Sequence, residues 1–481
     1  MRPRPPTRRA SFRLSSERAR QVNPGALAAL SVLVLSPGCG SHRIDPLEKL
    51  PVAASELQLS EGGETALDDR WWAAFDRADL DLVVDEALTS NLDVRAAFAR
   101  LEAAEATVRS RRSALVPALG AYASSSVGTD DRFDGVQRVP VEVGVGASYE
   151  VDLWGRIRAE VRGAARRREA TRADAHTAAL TVSAEVVSTW IDLAATREQL
   201  ALLDRQLVAN EQMAEIVRSR VMNGVVRQAD SLRQDRLVEQ TRAEQVARQE
   251  DLQLLRHRLA VLMGRQPRDA PEAPATLPGL PPLPATGLPS DLLLRRPDVV
   301  SALASLEAAD ADVAAAVNDL YPQFTLRADL SNAPATPEAL VTGWIASATL
   351  ALAAPLFEGG RRRAVVAQRR ALLDAQVADY GTAVLGALQE VEDALAANQR
   401  QAERVELIDR QVELAGQTAD NLQLQYVGGL DVGYLDVLTA QTTEQQLRRQ
   451  QITARQRMLT LRVALFRALA GGLEPPESTD G

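Results

Sequence analysis

The chain has 481 residues, of which 46% are hydrophobic, 25% charged and 4% aromatic, and its formal net charge is −9. This charge argues against a non-specific nucleic-acid binder, which needs a basic face for the phosphates. Residues that favour helices, chiefly Ala, Leu, Arg, Glu and Gln, dominate the sequence, so long helices are expected. No run of 18 apolar residues follows residue 40, which argues against a later transmembrane helix.

The N-terminal segment has the pattern of a cleaved export signal. An arginine-rich stretch precedes an apolar segment at residues 26–35, which is too short to span a bilayer as a helix. Small residues and then Cys39, the only cysteine, follow. We predict a lipoprotein signal peptide at residues 1–38, a covalent lipid on Cys39 and a lipidated linker at residues 39–70. The alternative is a chance cysteine beside an ordinary cleavage site.

An internal repeat divides the rest of the chain. A shift of 205 residues superposes identical residues, among them Asp93 and Asp298, Glu102 and Glu307, Pro117 and Pro322, and Gly224 and Gly429. A period of this length indicates a duplicated domain rather than a solenoid. We expect repeats at residues 71–265 and 291–472, a proline-rich linker at 266–290 and a disordered tail at 473–481.

The spacing of prolines predicts where long helices lie. No proline occurs between Pro140 and Pro267 or between Pro355 and Pro475, and proline costs about 3 kcal/mol inside a helix. Helices are expected at about 156–222, 228–264, 360–427 and 433–470. The first helix of each repeat should end at a glycine-bearing turn, Asn223-Gly224 or Gly428-Gly429. Helices of such length do not fit one compact globule and indicate an elongated coiled body.

Alternating segments before each long helix predict β-hairpins at about 117–154 and 322–357, with loops at 128–135 and 331–342. In residues 141–153 every odd-numbered position is apolar and every even-numbered one is polar or glycine. This is the pattern of a strand with one apolar and one polar face, and strands of this length cross membranes at a tilt. Four aromatic residues suit an interfacial girdle: Tyr149, Trp154, Trp344 and Phe357. The alternative is a half-buried sheet on a soluble core.

Four strands are too few for a closed membrane barrel, and lipid does not tolerate open strand edges. The chain is therefore expected to oligomerise, and three copies would supply 12 strands and 12 long helical passes. A periplasmic coiled-coil adaptor or structural rod is the alternative of a different class. That alternative leaves the strands, which are placed alike in both repeats, without a use.

Motifs at five places in the chain resemble one family. They lie at residues 71–75 (WWAAF), 87–93 (ALTSNLD), 288–298 (LPSDLLLRRPD), 355–361 (PLFEGGR) and 434–441 (YLDVLTAQ). In this order around the repeat they resemble the TolC-type outer-membrane factors, and specifically their OprM/NodT-like lipoprotein efflux branch. The resemblance covers roughly residues 45–472.

This resemblance implies a mainly helical chain with a membrane β-barrel portion: a homotrimer with a 12-stranded barrel and a long α-helical periplasmic tunnel, located in the outer membrane. It also implies a periplasmic adaptor and a proton-driven inner-membrane pump as partners, for the efflux of drugs, toxic compounds or metals. A channel for type I protein secretion is the alternative with the same fold. Gln425 departs from the family pattern, in which arginine is common before Tyr426.

A resting channel must be closed, and the narrowest point is expected just before the glycine turns. Asp420 and Leu424 are four residues apart and so share one helical face, with Tyr426 nearby. We predict that these three residues form the pore constriction, because threefold symmetry makes each one a ring. The alternative for Asp420 is a solvated helix-face charge. We expect the adaptor to contact the turn residues Asn223, Gly224, Gly428, Gly429 and Asp431.

Residue types for catalysis or metal binding do not cluster in the sequence. His42, His176 and His257 are far apart and lack metal-ligand spacing. The Gly144-Val145-Gly146 segment lies within an alternating strand and does not continue as a dinucleotide-binding loop. We therefore expect no catalytic residue, no metal and no cofactor apart from the lipid on Cys39, and predict that the protein is not an enzyme.

Overall fold

The computed structural model describes residues 70–125, 127–129, 136–138, 141–285, 295–332, 342–430 and 432–469. The predicted signal peptide, Cys39 and its linker up to residue 69, His42, residues 286–294, Asp431 and the tail lie outside the described residues.

Five elements of the first repeat have a counterpart in the second, in the order helix, strand, strand, long helix and helix. The first contains α1 (Ala78–Ser90), α2 (Leu92–Ser113), β1 (Ala118–Ser124), β2 (Val127–Thr129), β3 (Val136–Arg138), β4 (Glu142–Val151), α3 (Arg156–Met222) and α4 (Gln228–Leu262). The second contains α5 (Pro297–Asn318), β5 (Gln323–Asn332), β6 (Ile345–Ala353), α6 (Arg361–Val427) and α7 (Tyr434–Leu469). Helices α1, α2 and α5 precede the hairpins, where no element was expected. Strands β2 and β5 extend into the expected loops, so Gly128 and Ser331 belong to strands instead.

Helices α3 and α6 both contain 67 residues, which corresponds to about 100 Å each. They also end alike, because Gly224 and Gly429 adopt positive φ angles of 69° and 81°. The amide after each glycine donates to the carbonyl five residues earlier, from Val225 to the Arg220 carbonyl at 2.9 Å and from Leu430 to the Gln425 carbonyl at 3.0 Å. This is the Schellman cap, which requires a left-handed residue and therefore favours glycine.

Four strands form one antiparallel sheet in the order β1-β4-β5-β6. In the first hairpin Ala118 lies opposite Ser148, and in the second Gln323 lies opposite Ala353, so the 205-residue shift preserves the register. Strands β4 and β5 join the two hairpins. The short strands β2 and β3 form a separate two-stranded ribbon.

The register separates the sheet into an apolar and a polar face. Val145 lies opposite Ala121 on one side and Leu330 on the other, whereas Ser148 lies opposite Arg327. No described residue covers the apolar face in the protomer: all residues of β1 and β6 are exposed. This exposure disfavours a half-buried sheet on a soluble core and leaves a surface suited to lipid.

The hydrophobic core lies among the helices rather than on the sheet. The aromatic residues of the N-terminal motif are buried in it, with the Trp71 ring 5.9 Å from the ring of Phe466 of α7 and the Phe75 ring 6.1 Å from the same ring. Helix α3 is the only described helix with an 18-residue window apolar enough to span a membrane, and 72% of that window is buried against other parts of the chain. The window is therefore part of this core.

Arginine side chains of the helical part hydrogen-bond to the described part of the proline-rich linker. Its backbone carbonyls accept hydrogen bonds from four of them: Arg256 to Ala270 and Pro271, Arg197 to Ala273, Arg77 to Thr276, and Arg462 to Pro281. Proline has no N–H, so its neighbours' carbonyls must find other donors. Long cationic side chains supply them here.

Candidate functional site

The turn between α3 and α4 lies beside the turn between α6 and α7. We call residues 213–238 and 420–438 together the helical tip. Buried apolar side chains from all four helices pack there: Met213, Val217, Leu237, Tyr426, Tyr434, Val437 and Leu438. The two predicted glycine turns are thus brought together by a small core of their own.

Arg220 joins the ends of the two longest helices. It donates to the Tyr426 carbonyl at 2.6 Å and to the Val427 carbonyl at 3.2 Å. Its guanidinium also lies 4.2 Å from the centre of the Tyr426 ring, which is within range of a cation–π interaction. The tip therefore does contain an arginine contact, supplied by α3 rather than from position 425.

Tyr426 points into the protomer. It is 2% exposed, and its ring lies 6.0 Å from the ring of Tyr434, which is 5% exposed. Burial raises the pKa of Tyr426, which the guanidinium of Arg220 opposes, and burial also raises the pKa of Tyr434. The Tyr426 ring therefore packs inside the tip instead of facing a channel in this conformation, so a place in the constriction would require α6 to move.

Asp420 and Leu424 are exposed on α6, and Leu424 has 72% of its surface accessible. Asp420 lies near Glu444 of α7: burial raises the pKa of Glu444 and the negative charge of Asp420 raises it further, against Arg448. Both residues are available to face a channel formed with other copies of the chain. Their role in a constriction stays a prediction.

The described turn residues Asn223, Gly224, Gly428 and Gly429 are all exposed. Large apolar side chains beside them are exposed as well: Met222 by 82%, Val225 by 64% and Leu430 by 63%. Exposed apolar side chains gathered at a turn are typical of a surface that contacts another protein.

A network of mostly buried amide side chains lies next to the helical tip. Asn210 of α3 is fully buried; its Oδ1 accepts from Gln441 at 2.8 Å and from Gln445 at 2.7 Å, and its Nδ2 donates to Thr241 at 3.0 Å. The same residue's carbonyl accepts from Gln234, which in turn accepts from the Tyr434 hydroxyl at 2.7 Å. This network connects α3, α4 and α7.

The sequence did not single out this network or Arg220. The available signal was the pair Gln441 and Gln445, four apart on one face of a helix, but glutamines at that spacing are common on exposed helix surfaces. Only the packing of three helices shows that Gln445 is buried and Gln441 partly buried.

Among the described residues, no group of three or more His, Cys, Asp or Glu side chains could hold a metal ion. The ring of His176 lies 6.4 Å from that of Phe98, in an edge-to-face contact.

A sheet with an uncovered apolar face next to helices of about 100 Å is the arrangement of an outer-membrane channel subunit.

The sequence profile of the outer membrane efflux proteins matches residues 83–265 and, a second time, residues 288–471. The chain belongs to this family. It is 30% identical to the pyoverdine export outer membrane protein OpmQ of Pseudomonas putida, over 94% of this chain and 98% of the relative. It is 27% identical to nodulation protein T of Rhizobium leguminosarum bv. trifolii, over 92% and 96%.

The fold matches that of the solved outer-membrane channel OprN, with a TM-score of 0.79 and 27% identity over 90% of this chain and 97% of the other. The resemblance to the OprM/NodT-like outer-membrane factors and the expected fold class are thereby confirmed. The protein is an outer-membrane efflux channel, and the prediction that it is not an enzyme is confirmed because this family consists of channels.

Proposed function

We propose that three copies of the chain close a 12-stranded barrel and form the passive exit duct of a tripartite efflux system. The observation that carries this proposal is the sheet: among the described strands, β1 and β6 are each paired on one side only, and the apolar face between them is exposed. Strand edges open to lipid would leave backbone groups without hydrogen bonds, so each edge needs a partner strand.

The junction between the two repeats supports pairing with another copy. Within the chain, β4 pairs with β5, and α3 packs on α5 with Arg166 3.0 Å from Glu307. In the 205-residue repeat, β6 and α6 correspond to β4 and α3, and β1 and α2 correspond to β5 and α5. The surface of β6 and α6 in one copy can therefore pair with the surface of β1 and α2 in a neighbouring copy, in the way that β4 and α3 meet β5 and α5 within the chain. A cyclic arrangement of copies pairs both surfaces of every copy.

The proposed partners are a periplasmic adaptor and a proton-driven inner-membrane pump. Support for the adaptor comes from the exposed apolar side chains at the helical tip, Met222, Val225 and Leu430. We propose small molecules such as drugs, toxic compounds or metals as the exported substrates. The relative named for pyoverdine export favours small molecules over the secretion of a protein.

We further propose that Cys39 carries a lipid that tethers the N-terminus to the outer membrane. The proposal is supported by the arginine-rich leader and the small residues before the cysteine.

Conductance across a planar lipid bilayer tests the duct directly. Purified protein should insert and give discrete current steps of uniform size. A periplasmic adaptor or rod would leave the bilayer current unchanged, and that result would contradict the proposed function.

A further inference from the structure

Tyr122 lies across the polar face of the sheet. It stands on the edge strand β1, opposite Gly144 of β4. Its hydroxyl donates to Asp329 Oδ1 on β5 at 3.0 Å and lies 3.4 Å from Glu142 Oε1. The side chain therefore reaches from β1 to β5 over the strand between them.

Two glycines make room for this bridge. A Cβ atom at Gly144 would lie 2.7 Å from Tyr122 Cζ and Oη, and one at Gly146 would lie 3.1 Å from Asp329 Oδ1. Gly144 is the only buried residue of β4, although no other layer of the described structure covers the sheet. The tyrosine ring, resting on this glycine, accounts for its burial.

The second repeat does not have this arrangement. The positions 205 residues later hold Arg327 on β5 and Thr349 on β6, opposite each other. Strand β5 lies between β4 and β6, whereas β1 has β4 as its one partner in the four-stranded sheet. The bridge thus starts from β1, one of the two edge strands of the sheet.

We propose that Tyr122, seated on Gly144 and hydrogen-bonded to Asp329, is a positioning residue that holds β1 in register to receive β6 of a second copy of this chain. The inference rests on the proposed trimeric barrel. An edge strand with one partner opens easily. An aromatic ring packed over a glycine restores cross-strand contact that glycine cannot provide, and the hydroxyl adds a tie to the third strand.

The stability of the trimer in SDS tests this role. Full-length protein in detergent is heated stepwise before electrophoresis, and the temperature of half-dissociation is read for each variant. Gly144→Ala should lower it by several degrees. Gly120→Ala is the matched control, because it lies on the same face of β1 and a Cβ there has no atom within 4 Å. Alanine has a higher strand propensity than glycine. A lower dissociation temperature for Gly144→Ala therefore reports the displacement of the Tyr122 ring.

A double-mutant cycle isolates the contact. Tyr122→Ala should lower the dissociation temperature, and Tyr122→Phe, which keeps the ring, should retain most of it. In the Tyr122→Ala background, Gly144→Ala should cause no further loss. If Gly144→Ala alone prevents trimer formation, adding Tyr122→Ala should restore the trimer.

Equal dissociation temperatures for Gly144→Ala and Gly120→Ala would overturn the bridge, as would an equal loss from Gly144→Ala with and without Tyr122. Both outcomes leave the wild-type trimer, and hence the proposed function, intact. A wild-type protein without a heat-labile trimer would overturn the proposed function together with this inference.

Discussion

Arg220 at the end of α3 holds the end of α6 through Tyr426: its guanidinium is 2.6 Å from the carbonyl oxygen of that residue and 4.2 Å from the centre of its ring. The last carbonyls of a helix lack intrahelical partners and carry partial negative charge, so a cation there is stabilising. This contact fixes the ends of two helices, each about 100 Å long, to each other.

Arg220→Ala should loosen the helical tip and raise the basal conductance of the channel. The change removes two hydrogen bonds and the ring contact, together worth about 1–3 kcal/mol. Planar-bilayer recordings measure it. Arg227→Ala is the control, because it also removes an arginine from the helical tip. The Arg227 side chain is 84% exposed, and its ion pair with Asp230 is long, at 3.8 Å. Equal conductance in Arg220→Ala and the control would show that this contact does not restrain the tip.

Asp420→Ala should raise basal conductance or weaken the preference for cations, because a ring of three carboxylates attracts cations at a constriction. Reversal potentials in a salt gradient measure the preference. An unchanged Asp420→Ala channel together with a widened Leu424→Ala channel would indicate an apolar constriction, with Asp420 a solvated charge.

Val145→Arg should impair assembly, because Val145 lies on the apolar face between Ala121 and Leu330 and arginine at the membrane midplane costs about 2–4 kcal/mol. The yield of trimer in isolated outer membranes measures it.

The matched control is Thr325→Arg on the polar face, where the new charge lies opposite Glu150. Ser148 is less suitable, since it lies opposite Arg327 and an arginine there would add like-charge repulsion. Greater damage from Thr325→Arg than from Val145→Arg would mean that the two faces are assigned the wrong way round.

Cys39→Ser should abolish incorporation of an alkynyl fatty acid during growth, while wild type is labelled. Because the proposed barrel is itself an anchor, the variant should keep much of its export activity. Equal labelling of wild type and variant would rule out Cys39 as the lipidation site.

Asn210→Ala should destabilise the helical part by about 1–3 kcal/mol, because it removes the acceptor of the buried Gln445 amide and of the partly buried Gln441 amide. Thermal unfolding followed by circular dichroism measures the loss. The control is Gln240→Ala. Gln240 is exposed on α4, and its side chain donates a hydrogen bond to Glu244. Equal stability of the two variants would show that water replaces the lost bonds.

Local patterns predicted the features that depend on local physics. The alternation around Val145 gave the two faces of the sheet, and glycines at 224 and 429 gave the helix ends, because only a left-handed residue closes that cap. The buried position of Tyr426 could not be predicted from the sequence, because it depends on a contact with Arg220, which lies 206 residues earlier in the chain. The Tyr122 bridge was missed for the same reason: it joins the first hairpin to Asp329 of β5, 207 residues further along the chain.

If three chains close one barrel, the trimer should survive in SDS until it is heated, and electrophoresis of purified protein with and without boiling measures this. Unheated protein should migrate as a trimer and boiling should convert it to the single chain, because a closed barrel resists the detergent until heated. Migration as a single chain at all temperatures, for protein extracted in mild detergent from the outer membrane, would contradict the three-chain barrel.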